Sequence, residues 1–168
     1  MENKTINNLN FIETTLSVLK KRRKYIFTIL TLILIAILII IFLNFQQAKK
    51  NSKNSEQYIK ANIYLTKKDK KNSKIIYKEI IKSGDKLYSI LALNSILEND
   101  LEENNEEVLK MFKIVESIDL KEEKADLIKL KKALFLTKIS KASEGNKLLK
   151  EIIEKDSVWG KIALEISK

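Results

Sequence analysis

Residues 25–45 read YIFTILTLILIAILIIIFLNF: 21 residues without a charge, sixteen of them Ile, Leu or Phe, with Thr28, Thr31 and Asn44 as the polar members. As a helix rising about 1.5 Å per residue, the run is about 31 Å long, close to the ~30 Å hydrocarbon core of a bilayer. At roughly −0.3 to −0.6 kcal/mol per Leu, Ile or Phe, sixteen such residues sum to several favourable kcal/mol of insertion free energy. The two threonines do not undo this, because a helical Thr hydroxyl can bond back to a carbonyl one turn earlier. A core helix this apolar would need a large domain around it, and 168 residues cannot supply one. The segment is therefore expected to span a membrane.

The flanks bear on retention and orientation. A cleaved signal peptide has a shorter apolar region followed by small residues. Here the run continues into Gln46, Gln47, Ala48 and Lys49, with no such site. The helix is expected to remain as an anchor. Lys20, Lys21, Arg22, Arg23 and Lys24 form an unbroken basic block before it, whereas Lys49, Lys50 and Lys53 on the far side are looser. By the positive-inside tendency these five residues determine the topology: N-terminus in the cytoplasm, remainder of the chain across the membrane.

The composition points to an all-α fold. There is no Pro, Cys or His, and only three Gly, so the corner residues of a turn-rich β fold are scarce. Disulfides, Cys-ligated zinc and His-based chemistry are excluded. The net charge of +10 is spread in mixed-sign runs such as Glu122-Glu123-Lys124, which read as a solvated helical surface. A nucleic-acid binder would concentrate that charge in a stripe with stacking aromatics. No nucleic acid, small-molecule substrate, cofactor or metal is expected.

Beyond a polar linker at 46–54, residues 55–168 read as a helical domain built from a succession of amphipathic segments. Tyr58, Ala61, Ile63 and Leu65 mark the first, over about Ser55–Lys67. Ile75, Ile76, Ile80 and Ile81 build one stripe over about Lys71–Ser83. Gly84 then suits a left-handed helix stop, and Asp85 a cap for the next segment. The third, about Lys86–Glu98, is apolar on most sides and should be central. The fourth carries Val108, Leu109, Met111, Phe112 and Val115. Asp119 and Glu122 resemble a capping box opening a fifth, which runs through Leu127, Leu130, Leu134 and Phe135. Ser143 and Ser157 are expected to cap the sixth and seventh. Units recur at roughly 34–40 residues, compatible with a tetratricopeptide-like array of antiparallel helix pairs, against a plain helical bundle.

Four stretches resemble the YfgM-like family, ancillary subunits of the SecYEG translocon with a tetratricopeptide-like domain. They are the basic block and span (Lys20–Phe45), Ser55-Glu-Gln-Tyr58, Leu87-Tyr-Ser-Ile-Leu-Ala-Leu93 and Ser157-Val-Trp-Gly-Lys-Ile-Ala-Leu-Glu165. Family members usually continue past the last of these into a further helix pair, whereas this sequence ends at Lys168. The resemblance implies a single-pass protein of the bacterial inner membrane, its domain periplasmic, associated with the translocon and periplasmic chaperones.

On the residues alone, the function class is an anchored protein-interaction module. The alternative is a cytoplasmic-facing scaffold, or a subunit of another membrane complex, with no client-binding role. An enzyme is not expected: without His or Cys, catalysis would fall to Asp, Glu, Lys, Ser or Tyr, and no motif groups these. The acidic stretch Glu98–Glu107 reads as a solvated loop and first helical turn. Trp159 and the tyrosines Tyr58, Tyr64, Tyr77 and Tyr88 are expected to pack rather than bind.

Overall fold

The computed structural model describes residues 23–155 and 157–167, and these are all-helical. Seven helices follow one another: α1 (Arg23–Thr66), α2 (Lys70–Lys82), α3 (Tyr88–Glu98), α4 (Asn105–Glu116), α5 (Glu122–Lys138), α6 (Ala142–Glu154) and α7 (Gly160–Ile166). The chain divides into two compact units, one over residues 1–49 and one over Lys50–Lys168.

In the first unit, α1 carries the apolar run, and its side chains from Phe27 to Phe45 lie open to the surroundings. It is the one helix among the described residues long and apolar enough to cross a membrane. Thr28 donates its hydroxyl proton to the Lys24 carbonyl (2.9 Å) and Thr31 to that of Phe27 (2.8 Å), so neither leaves a bare polar group. Of the topology residues, Lys24 lies exposed in the first turn of α1 and Arg23 opens the helix. Lys20, Lys21 and Arg22 fall outside the described residues.

Residues 46–54, expected as a polar linker, contain the boundary between the two units at Lys49/Lys50. They are helical and belong to α1. The stretch QQAKKNSKN holds neither Pro nor Gly, and Gln, Ala and Lys are good helix formers. Its polarity marks a change of surroundings, not a break in the backbone.

In the second unit, α2 runs antiparallel to the end of α1 and to α3, and α5 to α4 and α6. Asn54 bonds Ser83 while Asn62 accepts from the Tyr77 hydroxyl, which pairs the end of α1 with α2 in opposite directions. Ser89 Oγ donates to the Ile80 carbonyl, and Lys70 reaches the Asn99 carbonyl, doing the same for α2 and α3. Lys132 with Glu116 and Phe135 with Phe112 register α4 against α5. Lys129 with Glu151 registers α5 against α6.

Two hydrophobic clusters fill the unit. The larger draws Ala61, Tyr77, Leu93, Phe112 and Ile128 from α1 to α5. The smaller joins Leu130 and Ala133 of α5 to Leu149, Ile152 and Ala163. Helix α5 therefore buries side chains in two directions. The tyrosines pack as expected: Tyr58 lies 5.7 Å from Tyr77 and 6.0 Å from Tyr88, centroid to centroid. Gly145 makes the α5–α6 approach possible, because a Cβ there would stand 2.8 Å from the Ala133 carbonyl oxygen and 2.9 Å from Thr137 Oγ1.

The helix boundaries divide the expected caps. Gly84 takes φ +65°, and Asp85 Oδ1 accepts from the backbone N–H of Leu87 and Tyr88, so this stop and restart is built as its residues suggest. Asp119 does not cap α5. Lys121 occupies that position without a side-chain bond, and Asp119 is drawn away to Lys86 at 2.8 Å. Ser143 lies inside α6, which Lys141 precedes as the uncapped boundary residue. Ser157 Oγ accepts from the Trp159 N–H at 3.4 Å, forming a turn before α7 rather than its first residue.

Candidate interaction groove

A concavity of the helical unit lies between α3, α4 and α5, with a volume of about 250 Å³. Its floor is Ile96, Leu97, Val108, Leu134 and Phe135, and its rim is Glu98, Asp100, Glu102, Lys131 and Lys138. The floor follows from the fold. Ile96 and Val108 are fixed from behind by the main cluster, while Phe135 tilts against the buried Phe112 at 5.9 Å. Leu134, placed by its sequence within an apolar helix face, is instead 44 % exposed and lines the groove floor.

The rim is unevenly neutralised. Lys138 pairs with Asp100 at 2.8 Å, but both side chains are well exposed and the pair adds little stability. Glu98 and Lys131 have no ion-pair partner among the described residues. An apolar side chain can enter this groove with one free cation and one free anion beside it.

Glu102 of the rim belongs to a charge cluster that corrects the reading of Glu98–Glu107. Glu102 is not solvated: its side chain is 10 % exposed and sits 3.1 Å from Lys78 and 3.6 Å from Lys74. Lys78 also bonds Glu107 at 3.1 Å, and Glu107 bonds Lys110 at 2.7 Å. Burial opposes ionisation of Glu102, but the Asn104 N–H and the Lys78 ammonium outweigh it and hold the carboxyl below its ordinary value. Lys110 and then Lys78 hold Glu107 down to about 2. Burial also opposes the charge on Lys78, yet its two carboxylate partners raise its pKa on balance. Leu101 in the same stretch is buried in the main cluster, while Glu106 and Glu107 stand in the first turn of α4 as expected, with Asn104 accepting from both their N–H groups.

This cluster sets an acid response. Carboxylates with depressed folded-state values stabilise the fold above their ordinary pKa and lose that contribution as pH falls through the folded value. The urea midpoint of the full chain in micelles should thus fall between about pH 4.5 and about 2. Glu107→Gln should flatten part of that fall. An unchanged slope in the variant would remove Glu107 from the stabilising set.

Trp159 packs on the smaller cluster, and its Nε1–H donates to the Glu123 carbonyl at 2.9 Å, tying the start of α7 to the start of α5. It is a structural clasp, as its sequence position suggests. The groove itself was not legible: its residues come from three helices, and each alone reads as core or solvated surface. Comparison with protein-family profiles, curated proteins and solved structures gives no match.

Proposed function

We propose that the chain is a membrane-anchored protein-interaction module. Residues 25–45 hold it in the bilayer, and a tetratricopeptide-like array of helix pairs presents the α3–α4–α5 groove to a partner segment. The observation that carries this reading is the pairing, in one chain, of an uncharged 21-residue apolar helix with an open, apolar-floored groove. The magnitudes support the pairing. Burying one Leu- or Phe-sized side chain contributes about 1.5–3 kcal/mol, too little for stable association from dilute solution. Confinement near a membrane partner raises the effective concentration and makes such a weak contact useful.

The basic block Lys20–Lys24 and the resemblance noted above support a domain on the periplasmic side of a bacterial inner membrane. There the module serves as an ancillary subunit of the export translocon and its chaperones, engaging proteins as they emerge. It performs no catalysis in this role.

A photo-crosslinking residue at Leu134 of the full chain in its own membrane tests the groove, with the same residue at the exposed Lys150 as the comparison. Leu134 should give discrete adducts with a translocon subunit or an exported protein, and Lys150 should not. Equal adduct patterns from both positions would sink the groove as the contact site.

A further inference from the structure

Residues 50–54 of α1 and three inter-helix loops form a continuous edge at one end of the helical unit. Asn54 bonds Ser83, Lys86 bonds Asp119 at 2.8 Å, Lys155 approaches Glu122 at 3.8 Å, and Trp159 bonds the Glu123 carbonyl. These contacts bring residues 50–54, 83–87 and 119–123 into one row with Lys155 and residues 157–159.

Two features of that edge have no use within the fold. Lys50, Lys53 and Lys82 are exposed and have no ion-pair partner among the described residues. Lys50 and Lys53 line a small hollow with Asn54, Gln57, Glu79, Ile80 and Ser83, where Glu79 is the single acid. Further along the row two apolar side chains project: Leu87 is 49 % exposed and Val158 is 68 % exposed. Unpaired lysines beside protruding apolar tips are the chemistry of a surface that meets lipid headgroups.

The distance along the chain points to the same occupant. Lys50 follows Phe45, the last apolar residue of the 25–45 run, by five positions. Even fully extended, five residues span at most about 18 Å, so the edge that begins at Lys50 is confined close to any bilayer holding the run. We propose that this edge docks on an anionic lipid surface: Lys50, Lys53 and Lys82 face lipid phosphates, while Leu87 and Val158 enter the interfacial layer. The docking rests on the membrane reading of residues 25–45.

A lysine near an anionic surface shifts the docked-to-undocked ratio about fivefold, so three lysines opposed by Glu79 supply about thirtyfold. The salt dependence should be steep, since the screening length falls to about 3 Å at 1 M ionic strength.

Trp159, the chain's single tryptophan, adjoins Val158 and is a native reporter for the test. The full chain is reconstituted into vesicles of zwitterionic lipid, with or without phosphatidylglycerol, containing headgroup-proximal spin-labelled lipid as quencher. Quenching of Trp159 should be stronger with phosphatidylglycerol, fall at high salt, and return to the zwitterionic level in Lys50→Glu/Lys53→Glu/Lys82→Glu, with helical circular dichroism unchanged. Equal quenching in both lipids and in the variant overturns the docking and leaves the edge to a protein partner. Vesicle flotation separates the two readings. Protein that floats without charge-dependent quenching refutes only the docking; protein that does not float refutes the anchor and the docking together.

Discussion

Phe112→Ala is expected to destabilise the helical unit by about 3–5 kcal/mol, the range for a large buried aromatic cut back to alanine. Phe112 is fully buried in the main cluster, and its ring tilts against Phe135 at 5.9 Å. Truncation removes its transfer free energy and opens a cavity directly behind the groove floor. Helices α4 and α5, which it joins, would have to move to close that cavity. Against a total stability of about 5–15 kcal/mol, this approaches the unfolding threshold. Urea titration of the full chain in micelles, followed by circular dichroism, should show a large drop in midpoint. Phe112→Leu should lose much less, because it keeps most of the volume. Equal losses in the two variants would mean that ring packing does not hold this junction.

The second large effect concerns the span. Leu34→Arg/Leu38→Arg puts two charges near the centre of residues 25–45, where each costs about 2.5–3.5 kcal/mol and removes a favourable leucine. The total is comparable to the whole favourable sum of the sixteen Leu, Ile and Phe residues. The doubly substituted chain should therefore leave the membrane fraction on alkaline extraction, while Leu34→Ile/Leu38→Ile stays. Retention of the arginine variant in the extracted membrane would show that something other than insertion of this helix holds the chain there.

These two sites differ in how openly the sequence declares them. The span is legible because its signal is density: an uninterrupted apolar run needs no knowledge of distant residues. The helices are nearly as plain, since the Ile75–Ile81 spacing and the scarcity of Gly leave few alternatives. The Gly84–Asp85 stop was readable because both residues act locally. At two positions a local signal is overruled from a distance. Asp119 looks like a cap, but Lys86, 33 positions earlier, takes its carboxylate. Glu102 looks solvated, but Lys74 and Lys78 close over it.

Residues 46–54 show a different limit. Their polarity marks the linker, and the unit boundary falls among them. Polarity does not tell a helical linker from an irregular one, and none of these residues obstructs a helix. Helix α5 hides its organisation because it serves two clusters at once, so its apolar positions fall on no single stripe. That ambiguity concealed the exposure of Leu134, and with it the groove. Gly145 carries a similar long-range requirement, since its need for a bare Cα comes from the Ala133 carbonyl on the preceding helix.

The most direct test of an anchored module uses the absence of cysteine from the chain. Single cysteines placed at Thr5 and at Lys150 are treated in intact cells with a membrane-impermeant maleimide, and again after lysis. An anchor with its domain across the membrane predicts labelling of the Lys150 site in intact cells and of the Thr5 site only after lysis. The reverse pattern would put the domain in the cytoplasm, in keeping with Lys49, Lys50 and Lys53 as the retained flank, and would contradict a role at the point of export. Labelling of both sites from outside, or of neither until lysis, would contradict a single span.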